Sequence, residues 1–282
     1  MFLKGFRLLV LLGLSSVPLL AAVPPSNHVV IVVEENHSYS SVINNSSMPY
    51  LNSLAKNYSL LTNYYANTHP SIGNYFEMTT GQIITNNDGY MGTVNVDNVV
   101  REVMLAGKTW KSYADSLPYV GYIGGDTGNY LRHHNPLSYF SDVVNSSTER
   151  QRLVPFTQFS KDLANNALPT FSFVVPNMIH DAHSGSLSTA DSWLKTNIGP
   201  LLNNPGFKQD GILIIVFDES SSSDTTHGGG HVAALVIGPK VKRGYKSTTL
   251  FQHQSLLKTV INAFGGNPDP GAAPAAPAFN VF

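Results

Sequence analysis

Four short apolar runs punctuate the chain, and polar residues follow closely on the first three. His28 to Val33, Thr170 to Val175, Gly211 to Phe217 and His231 to Ile237 are short and mostly apolar, the first of them rich in β-branched residues. That pattern predicts strands buried on both faces, as in a parallel sheet. Thr109 to Tyr113 reads as a further strand. Between the runs the apolar spacing turns helical. Met48 to Tyr58 places Leu51, Leu54 and Ala55 on one face, and Asn74 to Gly81, Asn98 to Ala106 and Ser255 to Phe264 read the same way. Ser188 to Leu202 predicts a helix capped by Ser188, with Ala190, Trp193, Leu194 and Ile198 facing inward. Tyr119 to Asn135, rich in Gly, Tyr and His, reads as a loop. Strands alternating with helices predict an α/β fold of three layers, α/β/α, around a mostly parallel central sheet. The Pro-, Ala- and Gly-rich tail from Gly266 predicts an extended segment tied down by Phe279, Val281 and Phe282.

The first residues form a separate unit. Lys4 and Arg7 precede the apolar run Leu8 to Leu14, and small residues follow to Ala22. This predicts a secretory signal peptide over 1–22, too short and interrupted for a stable membrane anchor, and hence a secreted or periplasmic protein with one domain over 23–282. Charge then excludes some partners. The whole chain carries −1, from 17 basic and 18 acidic residues; without Lys4 and Arg7 the count is 15 against 18, or −3. Neither value suits binding to nucleic acid or an anionic membrane. There is no cysteine, so disulfides, thiolate ligands and thiol nucleophiles are excluded.

In an open α/β sheet, ligands bind beyond the carboxyl ends of the strands. Glu34, Glu35 and Asn36 follow the first run, Asn177, His180, Asp181 and His183 the second, and Asp218 and Glu219 the third. One carboxylate at a strand end is usually a cap or a solvated turn; three strand ends agreeing point to a site. Carboxylates with an amide oxygen suit Mg, Ca or Mn, and an added imidazole admits Zn or Fe. Ser71, in Thr68-His69-Pro70-Ser71, precedes a helix. It reads equally as a nucleophile beside an anion-binding helix end and as a plain N-cap.

These residues fall in an order that resembles a known family. Glu34-Glu35-Asn36-His37-Ser38, His69-Pro70-Ser71 with Asn74-Tyr75, Arg132-His133-His134-Asn135-Pro136, Pro176-Asn177 through Asp181 and His183 to Asp191-Ser192-Trp193-Leu194, Phe217-Asp218-Glu219, and His253 with Ser255-Leu256-Leu257 resemble, in register, six motifs of the acid phosphatase and phospholipase C phosphoesterase family of the alkaline phosphatase superfamily. Two departures stand out: Ser184 where many members carry Asp, and Phe217 for a common Trp.

The resemblance implies an alkaline-phosphatase-like fold and metal-dependent hydrolysis of phosphate esters. It implies a metal shell of Glu35, Asn36, Ser71, Asp218 and Glu219, with Ser71 as the nucleophile that becomes phosphoserine. Asn74 would hold a phosphate oxygen, and His134 and His183 would hold phosphate or protonate the leaving group. Asp181 would orient a histidine or join the metal site. His253 stays open between a second-metal ligand and a buried capping group, and His227 and His231 have no assigned role. The short chain and the Glu-Asn-His-Ser form favour a phosphomonoesterase of the acid phosphatase type acting on small phosphate esters. A phospholipase C, or another phosphodiesterase with a phospholipid substrate, is the alternative. A secreted binding protein with a degenerate site is the alternative from outside enzymology.

Overall fold

The computed structural model describes residues 22–266 and 269–282. The signal-peptide reading therefore falls, except for Ala22, outside the described residues. Eight strands form one sheet: β1 (Val29–Glu34), β2 (Ser59–Leu61), β3 (Trp110–Ala114), β4 (Leu153–Pro155), β5 (Phe171–Val175), β6 (Ile212–Phe217), β7 (Ala234–Ile237) and β8 (Tyr245–Ser247). Their order is β4-β3-β5-β1-β6-β7-β2-β8. β4, β3, β5, β1 and β6 run parallel, β7 reverses, and β2 and β8 again run with the majority. The mostly parallel sheet is as the apolar runs predict. β1, β5 and β6 lie at its centre, every residue of them buried, and each Val, Ile or Phe there contributes roughly 1.5–3 kcal/mol by leaving water.

The differences from the expected elements have local causes. β2, β4 and β8 have three residues each, too few to show a period. The two edge strands carry Pro155 and Lys246, residues that discourage pairing with another chain. The first helix after β2 spans Ser71–Thr80, so it starts three residues before the expected Asn74, and Ser71 is its first residue rather than its N-cap. The helix expected over 188–202 is an α-helix only over Leu187–Trp193, followed by a π turn over Leu194–Ile198 and a 3-10 turn over Gly199–Asn203. Its cap is Ser186, whose hydroxyl accepts from the Thr189 N–H at 3.1 Å, not Ser188. In the tail, Phe279 and Val281 are buried, and the Phe279 N–H donates to Thr259 Oγ1 at 2.9 Å.

Strand parity decides what reaches the site. Side chains alternate across a strand, so Glu34 and Glu35 leave the end of β1 toward opposite faces. On one face, Ser71–Thr80 packs against the helix His253–Phe264, and Glu35 meets Ser71 there. On the other, the helix Pro49–Asn57 packs against Leu187–Trp193. Asp191 joins these two: its carboxylate accepts from the N–H groups of Tyr50 at 3.0 Å and Leu51 at 2.8 Å, at the start of Pro49–Asn57. A carboxylate there satisfies free donors and complements the helix dipole. We predict that Asp191→Ala costs about 1–2 kcal/mol of stability, read as a lower urea midpoint with an unchanged slope. An unchanged midpoint would contradict this role.

Candidate active site

The carboxyl ends of β1, β5 and β6 are neighbours, and the polar residues that follow them converge. Glu35 is fully buried, and its N–H donates to the Asp181 carbonyl at 2.8 Å, tying the ends of β1 and β5 together. Its Oε2 accepts from Ser71 Oγ at 3.2 Å, and its Oε1 accepts from the Tyr75 hydroxyl. Ser71 and Tyr75 are four residues apart on one helix, so both hydroxyls reach a single carboxylate from the same face. Tyr75 is buried; the sequence placed it in the motif with Asn74 but gave it no role, and its i, i+4 spacing from Ser71 was the available signal. Asn36 follows in a left-handed turn (φ 54°) that its residue type tolerates. Its N–H donates to Asp218 Oδ1 at 3.1 Å, while the Asp218 N–H donates to the Glu34 carbonyl at 2.9 Å.

Asp218 and Glu219 leave the end of β6. Asp218 Oδ2 is buried without a partner. Glu219 Oε2 lies 3.0 Å from His69 Nδ1 and 3.4 Å from Asn74 Nδ2. His253 is buried beneath them, with Nε2 2.7 Å from the Asp218 carbonyl and Nδ1 3.0 Å from the Tyr64 hydroxyl. Facing a carbonyl, Nε2 must carry the proton, which leaves Nδ1 to accept from Tyr64. Burial lowers the ring's pKa to about 4. His253 is thus a neutral support for the strand end with both nitrogens engaged.

From the β5 side, Asn177 bends the chain by accepting from the N–H groups of Ile179 and His180, each at 3.1 Å. The bend aims Asp181 inward. His134, from a 3-10 turn over Arg132–His134, lies between carboxylates. Its Nε2 is 3.3 Å from Glu35 Oε1, its Nδ1 is 3.4 Å from Asp181 Oδ2, and its ring stacks on Tyr75 at 5.0 Å. Neither close approach is aligned as a hydrogen bond, so His134 Nε2 and Asp181 Oδ2 are left unpartnered. Glu35, His134 and Asp181 each offer a ligand atom, all within 4.8 Å of one another.

The charge is uncompensated. Burial, then the nearby Asp218 and Asp181 charges, push Glu35 well above the ordinary carboxylate range. Asp218 is raised the same way by burial and Glu219. Burial brings Asp181 to about 7, and burial with the Asp88 charge brings Glu219 to about 8. Burial, with His133 and His183 adding to it, holds His134 far below the usual imidazole range. Among the described residues no Lys or Arg pairs with any of the four carboxylates. Such a cluster either carries protons or carries a cation, and its unpartnered oxygens and imidazole nitrogen are donors a divalent ion can use.

The remaining candidates are placed as follows. Asn74 is fully buried. Its Oδ1 accepts from the Asn67 and Thr68 N–H groups at 3.0 and 3.1 Å, and its Nδ2 donates to the Thr68 carbonyl at 2.8 Å, so it pins the loop leading to Ser71. His183 is exposed at the mouth, its N–H on Asp181 Oδ1 at 2.8 Å and its ring 6.1 Å from His134. The departing Ser184 puts a hydroxyl 3.1 Å from His183 Nδ1. His180 pairs with Asp115 at 2.6 Å and His133 with Asp126 at 2.9 Å, both away from Ser71. Glu34 is buried on the opposite face, neither oxygen partnered.

The glycine loop before β7 is a clamp on the Ser71 segment. A Cβ on Gly228 (φ 106°) would come 1.9 Å from the Asn67 carbonyl, and one on Gly229 would come 2.4 Å from that of Thr68. His231 is stacked between Tyr39 and Tyr65 at 4.3 and 4.9 Å, and His227 flanks Tyr65 at 4.4 Å. These two histidines shape the wall beside the loop.

Residues 41–265 match the family model described as the Phosphoesterase family. The chain is 33% identical over 239 residues to a probable acid phosphatase of Kluyveromyces lactis, covering 80% of this chain and 55% of that one. It is 32% identical over 290 residues to a phosphatidylinositol-3-phosphatase of Mycobacterium tuberculosis, covering 97% and 93%. An acid phosphatase of Aspergillus fumigatus matches at 33% over 73% of this chain and 48% of its own, so the chain spans about half the length of these fungal relatives. In three dimensions it resembles an alkaline phosphatase superfamily protein from Vibrio parahaemolyticus (TM-score 0.59, 14% identity, 91% of this chain and 71% of that one). It also resembles the lipoteichoic acid synthase LtaP of Listeria monocytogenes (TM-score 0.61, 12% identity, 89% and 76%). Matched over most of its length, and carrying the superfamily's α/β sheet, the chain belongs to the phosphoesterase family.

Proposed function

We propose that this protein hydrolyses phosphate monoesters through a phosphoserine at Ser71, assisted by a divalent cation held by Glu35, Asn36, Ser71, Asp218 and Glu219. The observation that carries the reading is Ser71 Oγ donating at 3.2 Å to a fully buried carboxylate inside a cluster of four acids that no Lys or Arg among the described residues pairs with. When bound, the cation supplies a lowered hydroxyl pKa at Ser71 and charge neutralisation at a phosphate oxygen. The chain's own residues do the rest. Glu35 Oε2 accepts the hydrogen bond from the Ser71 hydroxyl, so an acceptor for that proton is in place once Glu35 is ionised. The serine oxygen forms a bond to phosphorus in line with the departing alcohol oxygen, and the ester P–O bond breaks. His183, at the mouth and held through Asp181, protonates the leaving oxygen. His134, neutral and fixed against Tyr75, positions the phosphoryl group. Water then attacks phosphorus, phosphate leaves and Ser71 regains its proton.

The acid phosphatase names of the fungal relatives support a monoester substrate. The mycobacterial relative, aligned over nearly its whole length and named for a phosphorylated phosphoinositide, supports a phosphorylated lipid headgroup as a second substrate class. The N-terminal pattern supports secretion of a single domain spanning 23–282. A binding protein with a degenerate site would tolerate loss of Ser71.

Release of p-nitrophenol from its phosphate monoester tests the reading. Ser71→Ala is expected to lower kcat/KM by at least about a thousandfold, and EDTA to abolish turnover until divalent metal is returned. A Ser71→Ala protein with wild-type turnover would end the proposal.

A second prediction follows from the raised carboxylates. Their folded pKa values exceed the unfolded ones, so without a cation the folded state binds extra protons, and stability falls as pH rises from about 4 through about 8. The chelated protein should therefore melt lower at pH 8 than at pH 5, and Mg or Mn should raise its melting temperature more at pH 8. A chelator-insensitive melting curve at both values would count against a metal in the cluster.

A further inference from the structure

The start of a helix ordinarily offers its free N–H groups to an anion. At the start of Ser71–Thr80 one of these is already taken: the Ile72 N–H donates to Asp88 Oδ1 at 3.1 Å. The acceptor arrives by a fold-back. Gly81 ends the helix in a left-handed turn, and the chain returns along it until Asn86 covers Gly73, where a Cβ would meet Asn86 Oδ1 at 2.2 Å. Asp88 then lies half-buried at the first turn of the helix that carries Ser71. Among the described residues no Lys or Arg pairs with it. Its charge is felt at Glu219, which it raises, and at His134. A neutral Asn or Ser would cap the same N–H. A full negative charge here does something a neutral cap does not: it opposes a second negative charge on whatever docks at Ser71.

We infer that Asp88 is a specificity-determining residue that selects the charge of the phosphoryl group. It fills the helix-end donor and favours a singly charged phosphoryl group, in a phosphodiester or a singly ionised monoester, over the doubly charged monoester. The inference rests on the reading of Ser71 as the point of phosphoryl attack. A monoester's second ionisation lies near pH 6, so the site accepts monoesters most readily in acid and expels product phosphate as it ionises. This bears on the choice between monoester and diester that the sequence leaves open.

The test uses p-nitrophenyl phosphate and bis(p-nitrophenyl) phosphate at pH 8, which share a leaving group and differ in charge. Asp88→Asn keeps an oxygen for the Ile72 N–H, and Asp88→Ser supplies a second neutral cap. Each variant should raise the monoester-to-diester ratio of kcat/KM by about tenfold, the size expected for one partly screened charge near the phosphate. Each should tighten competitive inhibition by inorganic phosphate by a similar factor, at an unchanged melting temperature. A ratio and an inhibition constant that stay at wild-type values, or equal losses on both esters, would overturn the inference and leave Asp88 a cap. Should wild type cleave neither ester, the reading of Ser71 fails separately. Calorimetric binding of inorganic phosphate then decides on Asp88: tighter in the variants supports the inference, and unchanged overturns it.

Discussion

The carboxylate of Glu35 is removed from water at the point where β1, β5 and β6 end, and the neighbouring groups are arranged around that fact. One of its oxygens takes the Ser71 hydroxyl. The other takes the Tyr75 hydroxyl and faces His134. Its backbone N–H ties it to the Asp181 carbonyl. Burying one carboxylate is costly, and burying it beside Asp218, Glu219 and Asp181 multiplies the cost. Two phenol or serine donors cannot offset four charges. The fold therefore holds, at its centre, a site whose stable form includes extra protons or a cation.

Sheet order makes this possible. β1 sits between β5 and β6, so Glu35 becomes a neighbour of Asp181, Asp218 and Glu219 although more than a hundred residues of chain separate it from each of them. The supports beneath them are neutral: His253 holds the Asp218 carbonyl and Asn74 holds the Thr68 loop. The same alternation that aims Glu35 at Ser71 sends Glu34 to the opposite face.

The central strands were legible because each is an apolar run long enough to be recognised, and the acids were legible because each lies at or a few residues beyond the end of one. Glu35, Asp218 and Asp181 were found this way, Ser71 from its place before a helix and from the family resemblance, and the four do come together. What the pattern could not carry was geometry set by other parts of the chain. The three-residue strands have no period of their own and exist through their neighbours. Tyr75 looks like any core aromatic until Ser71 is known to begin the helix. Asp88 lies in a polar loop with no spacing signal, and only the fold-back over Gly73 brings it to Ile72. His253 could not be separated from a metal ligand by sequence, because its role depends on which carbonyl its Nε2 meets.

The most direct test of the account is the covalent state of Ser71 during turnover. The protein would be mixed with a phosphate monoester and divalent metal, quenched in acid within a turnover, and its Ser71 peptide examined by mass spectrometry. The account predicts a peptide heavier by one phosphoryl group, with the added mass on Ser71 and absent from Ser71→Ala. Steady product release with no phosphorylated Ser71 at any quench time, while Ser71→Ala remains active, would contradict it.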